Sequence, residues 1–127
     1  MVTFRDKEKD RYRDLKRKLF SNEAQDEGNY RGRTRFFCLS DEHSNENLYE
    51  AIRKPAIKYF EARNITWHDG LEKRRLPSNH LCCSQSCCIN FLYPMTTKPR
   101  MLASVFQHFY PELAEPLPIN EDKPLPK

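Results

Sequence analysis

The stretch Pro77-Ser78-Asn79-His80-Leu81-Cys82-Cys83-Ser84-Gln85-Ser86-Cys87-Cys88-Ile89-Asn90-Phe91-Leu92-Tyr93-Pro94 constrains this chain more than any other. It lies between two prolines and holds four of the five cysteines. Its side chains are small or apolar apart from a few amides, hydroxyls and one histidine. An ordinary charged surface helix does not have this composition. The segment is a metal site, a redox site, or a small-residue helix packed inside the fold. The pattern predicts a helix from Ser78 or Asn79 to Tyr93, stopped by Pro94.

Structural zinc needs four converging nitrogen or sulfur ligands, usually presented by Cys-x-x-Cys turns. On a helix, His80, Cys83 and Cys87 share roughly one face, with Cys38 as a distant fourth candidate. The cysteines, however, come as adjacent pairs, and neighbours on a helix diverge by about 100°. Neither pair chelates in the usual way. Redox chemistry has no Cys-x-x-Cys to work with, and no motif pairs a cysteine with His43, His68 or His80. Free cysteine packs as a small hydrophobe, and packing accounts for more of the segment than chemistry does. Asn79, Cys83, Ser86 and Asn90 then form one narrow polar stripe, with Gln85 on another side. Buried amides of this kind tie down neighbouring backbone, or else hold a ligand.

A chain of 127 residues suits one domain or a piece of a larger one. It has no apolar run long enough to span a membrane and no secretory leader at Met1, so a cytoplasmic location with reduced thiols is expected. Between Arg5 and Lys18 stand eight basic and four acidic residues, so this segment carries the whole net charge of +4. It reads as a helix over 4–20 with a narrow apolar stripe of Phe4, Tyr12, Leu15, Leu19 and Phe20. Such a cylinder either tracks a phosphate backbone or is solvated and laced with i,i+4 ion pairs. Together with the basic loop at Lys73, Arg74 and Arg75, it supplies the candidate nucleic-acid contacts. These are Arg5, Lys9, Arg13, Lys16, Arg17, Lys73, Arg74 and Arg75.

The rest reads as mainly α, about four helices with little strand. Residues 1–32 make a basic helix and, from Ser21 to Gly32, a mobile linker. Residues 33–120 form a helical region and 121–127 an irregular tail. Residues 33–39 suit a short strand. A second helix should start near Ser44 or Asn45 and bury Leu48, Ile52, Ala56, Tyr59 and Phe60. Pro55 should kink or restart it, and Asn64 should cap it. Asp69-Gly70 is a turn signal. Met101, Leu102, Val105, Phe106 and Phe109 mark a further helix ending before Pro111. A basic chain also prompts a search for metal-dependent nuclease motifs, an acid on one strand and Glu-x-Lys on the next. The triplet Glu121-Asp122-Lys123 stands among prolines with no strand before it and is an accidental match.

Three elements occur in order: Asn47-Leu48-Tyr49-Glu50-Ala51-Ile52-Arg53, then Tyr59-Phe60 through Asn64-Ile65-Thr66-Trp67-His68, then the segment 78–94. They resemble, over about residues 44–120, the N-terminal part of a bacterial group of restriction endonucleases in the PD-(D/E)XK nuclease superfamily. In that group a helix with the pattern His-Leu-x-Ser-Ser-Gln-x-x-Cys-x-Asn-x-Leu precedes the catalytic sheet. His80, Ser84, Gln85 and Asn90 match it here. The group's catalytic Ser-Ala-Asp and aliphatic-Glu-Trp-Lys segments do not occur in the 127 residues. The resemblance therefore implies the helical N-terminal portion of an α/β restriction-endonuclease-like fold, truncated or partial and non-cleaving alone. It further implies Glu50 as an accessory acid, Mg²⁺ as the complete enzyme's cofactor, and DNA and a C-terminal catalytic half as partners.

Overall fold

The computed structural model describes residues 1–116. They fall into two compact units, Met1–Tyr93 and a second beginning at Pro94. The fold is mainly helical, as the sequence predicts, with one two-stranded sheet among the described residues.

Helix α1 (Phe4–Leu19) begins at a capping box. The Asp6 N–H donates to Thr3 Oγ1, and the Thr3 N–H donates to the Asp6 carboxylate, both at 3.2 Å. Lys16, Arg17 and Lys18 in the last turn complement the helix dipole. Of the expected stripe, Tyr12 and Phe20 pack on a cluster of Ala24, Leu39 and Leu81, while Phe4 and Leu19 stay exposed.

Residues 21–32 are not a linker. They hold a short 3-10 turn, Glu23–Gln25, and strand β1 (Gly28–Tyr30), which pairs antiparallel with β2 (Arg33–Arg35). Ala24 is fully buried. The hairpin turns through Arg31 and Gly32, both at positive φ, the two-residue geometry that matches strand twist. Gly28 is required for a different reason. A Cβ there would run into the Leu39 carbonyl, the Asn79 amide and the Asp41 carboxylate. A glycine that suggests mobility in sequence here marks a close approach.

A 3-10 segment, Asp41–Asn47, occupies the place where the second helix was expected to start, and Ser44 within it is buried. Helix α2 runs Glu50–Ala62, straight through Pro55 rather than restarting there. Pro55 and Ala51, four residues before it, both lie on the exposed side, while Ile52, Ala56 and Phe60 are buried opposite. The helix ends as predicted at Asn64, whose φ is +53°. The Ile65 N–H returns to Phe60 O at 2.8 Å and the Asn64 N–H to Glu61 O at 3.1 Å, a Schellman closure. Below α2 lies a second cluster of Leu48, Ala56, Phe60 and Trp67, in which Phe60 and Trp67 stack at 4.0 Å. Tyr59, expected inside, is 42% exposed.

The helix predicted from Ser78 or Asn79 is shorter. Helix α3 spans Ser84–Leu92. Ahead of it, residues 79–81 run extended against 37–39: Leu39 N–H donates to Asn79 O at 2.9 Å and Leu81 N–H to Phe37 O at 3.1 Å. Serine and asparagine bond locally to backbone and so compete with helix at its start. Here the His80 N–H donates to Ser78 Oγ at 3.2 Å.

Nor is α3 buried all round. Ser86 is buried, and Ile89 packs on the second cluster, but Cys87, Cys88 and Phe91 are exposed. In the second unit, α4 (Pro99–Gln107) lies where periodicity placed a helix. Leu117-Pro118-Ile119, Glu121-Asp122-Lys123 and the tail 121–127 lie outside the described residues. No helix among the described residues is long and apolar enough to cross a membrane.

Candidate functional site

The motif segment meets the rest of the first unit through side-chain amides. Asn79 Nδ2 donates to Asn29 O at 3.1 Å, Leu39 O at 3.1 Å and Asp41 Oδ1 at 2.9 Å. Asn47 Nδ2 donates to Ser78 O at 2.8 Å and His80 O at 2.9 Å. Asn90 Nδ2 donates to Asn47 O at 2.9 Å, and its Oδ1 accepts from Tyr49 N–H at 2.7 Å. Gln85 Oε1 accepts from His68 N–H at 2.7 Å. An amide offers a donor and an acceptor in one rigid plane, which suits it to clamp extended backbone that no ladder satisfies. These residues hold the hairpin, the 3-10 segment and the loop after α2 around α3.

Beside this junction lies a cleft of about 290 Å³ lined by Arg5, Tyr30, Arg31, His68, Asp69, Ser78, His80 and Cys82–Ser84. Each wall has a local cause. Arg31 projects from the hairpin turn. Asp69 sits at the turn predicted from Asp69-Gly70, with φ +48°. Arg5 lies in the first turn of α1. The Tyr30 hydroxyl donates to Asp69 Oδ2 at 2.8 Å, while Arg31 and His68 approach the same oxygen at 3.7 Å. The Tyr30 hydrogen bond holds the Asp69 carboxyl below its usual range. Burial, and then Asp69 itself, pushes the Tyr30 hydroxyl up. The His80 ring is packed by Tyr30 at 4.7 Å and Phe37 at 4.8 Å. Burial, reinforced by Arg5 and Lys9, lowers its pKa, so the ring is neutral at pH 7.

The expected nucleic-acid contacts come from two elements, α1 and the loop 71–76. Arg5 lines the cleft. Lys9 lies over the Phe37 ring at 4.7 Å. Arg13 lies over Phe36 at 5.7 Å and pairs with Asp10 at 3.4 Å. The α1 ion pairs run at i,i+3, Lys9 with Asp6 at 4.0 Å and Arg11 with Glu8 at 3.5 Å. Arg17 is exposed.

Lys16 requires correction, because it is buried rather than displayed. Its ammonium donates to Asp26 O at 2.9 Å and to Cys38 O, and burial lowers its pKa. A four-carbon stem on the packed face of α1 carries the charge inward to two carbonyls. Lys73, Arg74 and Arg75 sit on a separate loop closed by the Leu71–Leu76 pairing. Glu72, Lys73 and Arg74 all have positive φ there.

Glu50 opens α2 and faces a different, wider groove of about 870 Å³, with Glu46, Tyr49, Arg53 and Phe91. Glu46 is bound to Ser21 by its N–H at 3.0 Å and its hydroxyl at 2.6 Å. Among the described residues no three His, Cys, Asp or Glu side chains converge on a point. Glu50 and Glu46 are the two carboxylates that line that groove. The five cysteines are free thiols. Cys38, fully buried, has its pKa pushed up to about 12 by that burial. Cys38 and Cys83 are buried as the packing reading expects; Cys87 and Cys88 are not.

Sequence reasoning missed the cleft. Its walls, Arg31, His68 and Asp69, are far from the motif in the chain, and Tyr30 lay in the supposed linker.

The chain matches, over residues 6–124, the family of the restriction endonuclease associating with ARP, and it belongs to that restriction-endonuclease-related family. Comparison with curated proteins and with solved structures gives no match.

Proposed function

We propose that the chain is the helical N-terminal portion of a bacterial PD-(D/E)XK restriction endonuclease, and that these 127 residues bind DNA without cutting it. The family match over residues 6–124 supports the link to restriction endonucleases, and the sequence has neither Ser-Ala-Asp nor Glu-Trp-Lys. DNA is engaged by the exposed cations of α1, Arg5, Arg13 and Arg17, with half-buried Lys9 beside them, and by the Lys73–Arg75 loop. His80, Ser84, Gln85 and Asn90 organise the scaffold behind them. Glu50 stands ready as an accessory acid for a catalytic half carried elsewhere. Pure protein mixed with duplex DNA and Mg²⁺ should retard the duplex and leave it uncut, with affinity falling steeply as salt rises. Mg²⁺-dependent cleavage abolished by Glu50→Gln overturns the non-cleaving assignment, and salt-independent or absent binding at low ionic strength overturns the DNA assignment.

One observation favours a second role on the same scaffold. Leu19 (64%), Tyr49 (62%) and Phe91 (58%) are exposed around the wide groove, an apolar rim that suits the missing catalytic half. Size-exclusion chromatography should then show self-association that Phe91→Glu relieves. A compact monomer with no exposed-surface dye binding removes this role.

A further inference from the structure

The cleft beside His80 gathers donors that the fold leaves unused. His80 is only 6% exposed. Its Nδ1 accepts from the Cys82 N–H at 3.0 Å, which places the proton of the neutral ring on Nε2. Apart from the residue's own backbone, no group among the described residues accepts from the ring. Nor is Nε2 sealed in: it is not one of the enclosed, unpaired side-chain atoms, and His80 lines the cleft. The ring cannot easily turn elsewhere, because Tyr30 and Phe37 pack against it.

A second donor set faces the same space. No side chain caps the nine-residue α3, and its first residues, Cys83 and Ser84, line the cleft. Free N–H groups at a helix start carry partial positive charge and suit an anion. Arg5 and Arg31 add full charges at the rim. The single carboxylate on the wall, Asp69, is engaged by Tyr30 and paired with Arg31 and His68. Donors from three directions suit a tetrahedral anion with several oxygens better than a planar carboxylate, which offers two.

We infer that this cleft binds a phosphate group, held by His80 Nε2–H, the first-turn N–H groups of α3 and the guanidiniums of Arg5 and Arg31. A phosphate on a DNA strand and a free phosphate share this chemistry. The assignment of a DNA strand as the source rests on the DNA-binding reading above. Neutral His80 suits the role, since protonation would cost the Nδ1 acceptor its bond to Cys82.

The test is a ¹H–¹⁵N titration of the full chain with inorganic phosphate and then with a short duplex, at constant ionic strength. Inorganic phosphate should shift the Ser84 amide and the His80 ring saturably. Arg5→Gln/Arg31→Gln, two exposed positions, should weaken that binding at least tenfold with the rest of the spectrum kept. Lys54→Gln/Lys58→Gln, exposed cations on α2, should leave it unchanged. Weak shifts spread over all basic residues, with none concentrated at Ser84 and His80, overturn the site. Duplex shifting the same nuclei supports the site with a DNA phosphate as its occupant. Duplex binding that leaves them unmoved, when inorganic phosphate also leaves them unmoved, overturns the site while the DNA-binding reading survives. Inorganic phosphate shifting them with no duplex binding keeps the site, for a free phosphate, and sinks that reading instead.

Discussion

Asn79 and His80 are adjacent and almost equally buried, yet their side chains have opposite fates. The Asn79 amide reaches three acceptors across three separate segments. His80 uses one ring nitrogen to fix its own orientation and presents the other to an open cleft. The same division runs along α3, where Gln85 and Asn90 clamp neighbouring backbone and Ser84 stands at an uncapped helix start. A motif of conspicuous polar residues therefore contains two functions. Residues whose polar groups are fully engaged hold the scaffold, and those with a free donor in a concave place are the candidates for a ligand. Burial alone does not separate them; the hydrogen-bond partners do.

The sharpest way to break this distinction is to remove a clamp. Asn79→Ala strands Leu39 O and Asn29 O, while Asp41 Oδ1 keeps the Asn29 N–H, and should cost about 3 kcal/mol, since each stranded buried group costs about 1–3 kcal/mol. A urea midpoint reporting less than about 1 kcal/mol would show that Asn79 is not a clamp.

Lys16→Met comes next. It keeps the apolar stem but leaves the Asp26 and Cys38 carbonyls without their ammonium, an expected loss of about 2 kcal/mol. Lys73→Met on the exposed loop should fall within about 0.5 kcal/mol of wild type. Equal effects at the two lysines would erase the difference between the buried and displayed cations.

The smallest effect is a pH dependence. Because His80 is held neutral in the fold, the unfolded chain takes up its proton first, near the ordinary value of 6.5. Stability should be flat above that pH and decline as pH falls below it. The decline between about pH 6.5 and 5 should shrink in His80→Gln, by the same linkage. An unchanged slope would show that His80 titrates alike in both states.

Much of the scaffold was legible from sequence, where local signals and tertiary packing agreed. The extent of α1, the cap at Asn64 and the position of α4 follow from periodicity and capping residues, which act within a few residues. The errors arise where a distant partner decides. Gly28 and Asn29 look like linker residues until the Leu39 carbonyl and the Asn79 side-chain amide close over them. Ser78–Leu81 looks helical until residues 37–39 offer it a pairing edge. Lys16 looks like a surface cation because no spacing rule shows that two carbonyls wait beneath it. The cleft was the least legible feature, since its donors come from α1, the hairpin, the 68–69 turn and the start of α3. Only His80 and Ser84 were marked by the motif, and Arg5 by its charge.

The proposed meeting of the chain with a DNA phosphate at the His80 cleft is tested by the salt dependence of duplex binding. Each lost phosphate contact lowers the slope of log affinity against log salt by about 1. Arg5→Gln/Arg31→Gln should reduce that slope by about 1 relative to wild type, since both guanidiniums serve one phosphate, while the protein stays folded, because both positions are exposed. A double variant with the wild-type slope and affinity would contradict the claim and leave the cleft a feature of the scaffold alone.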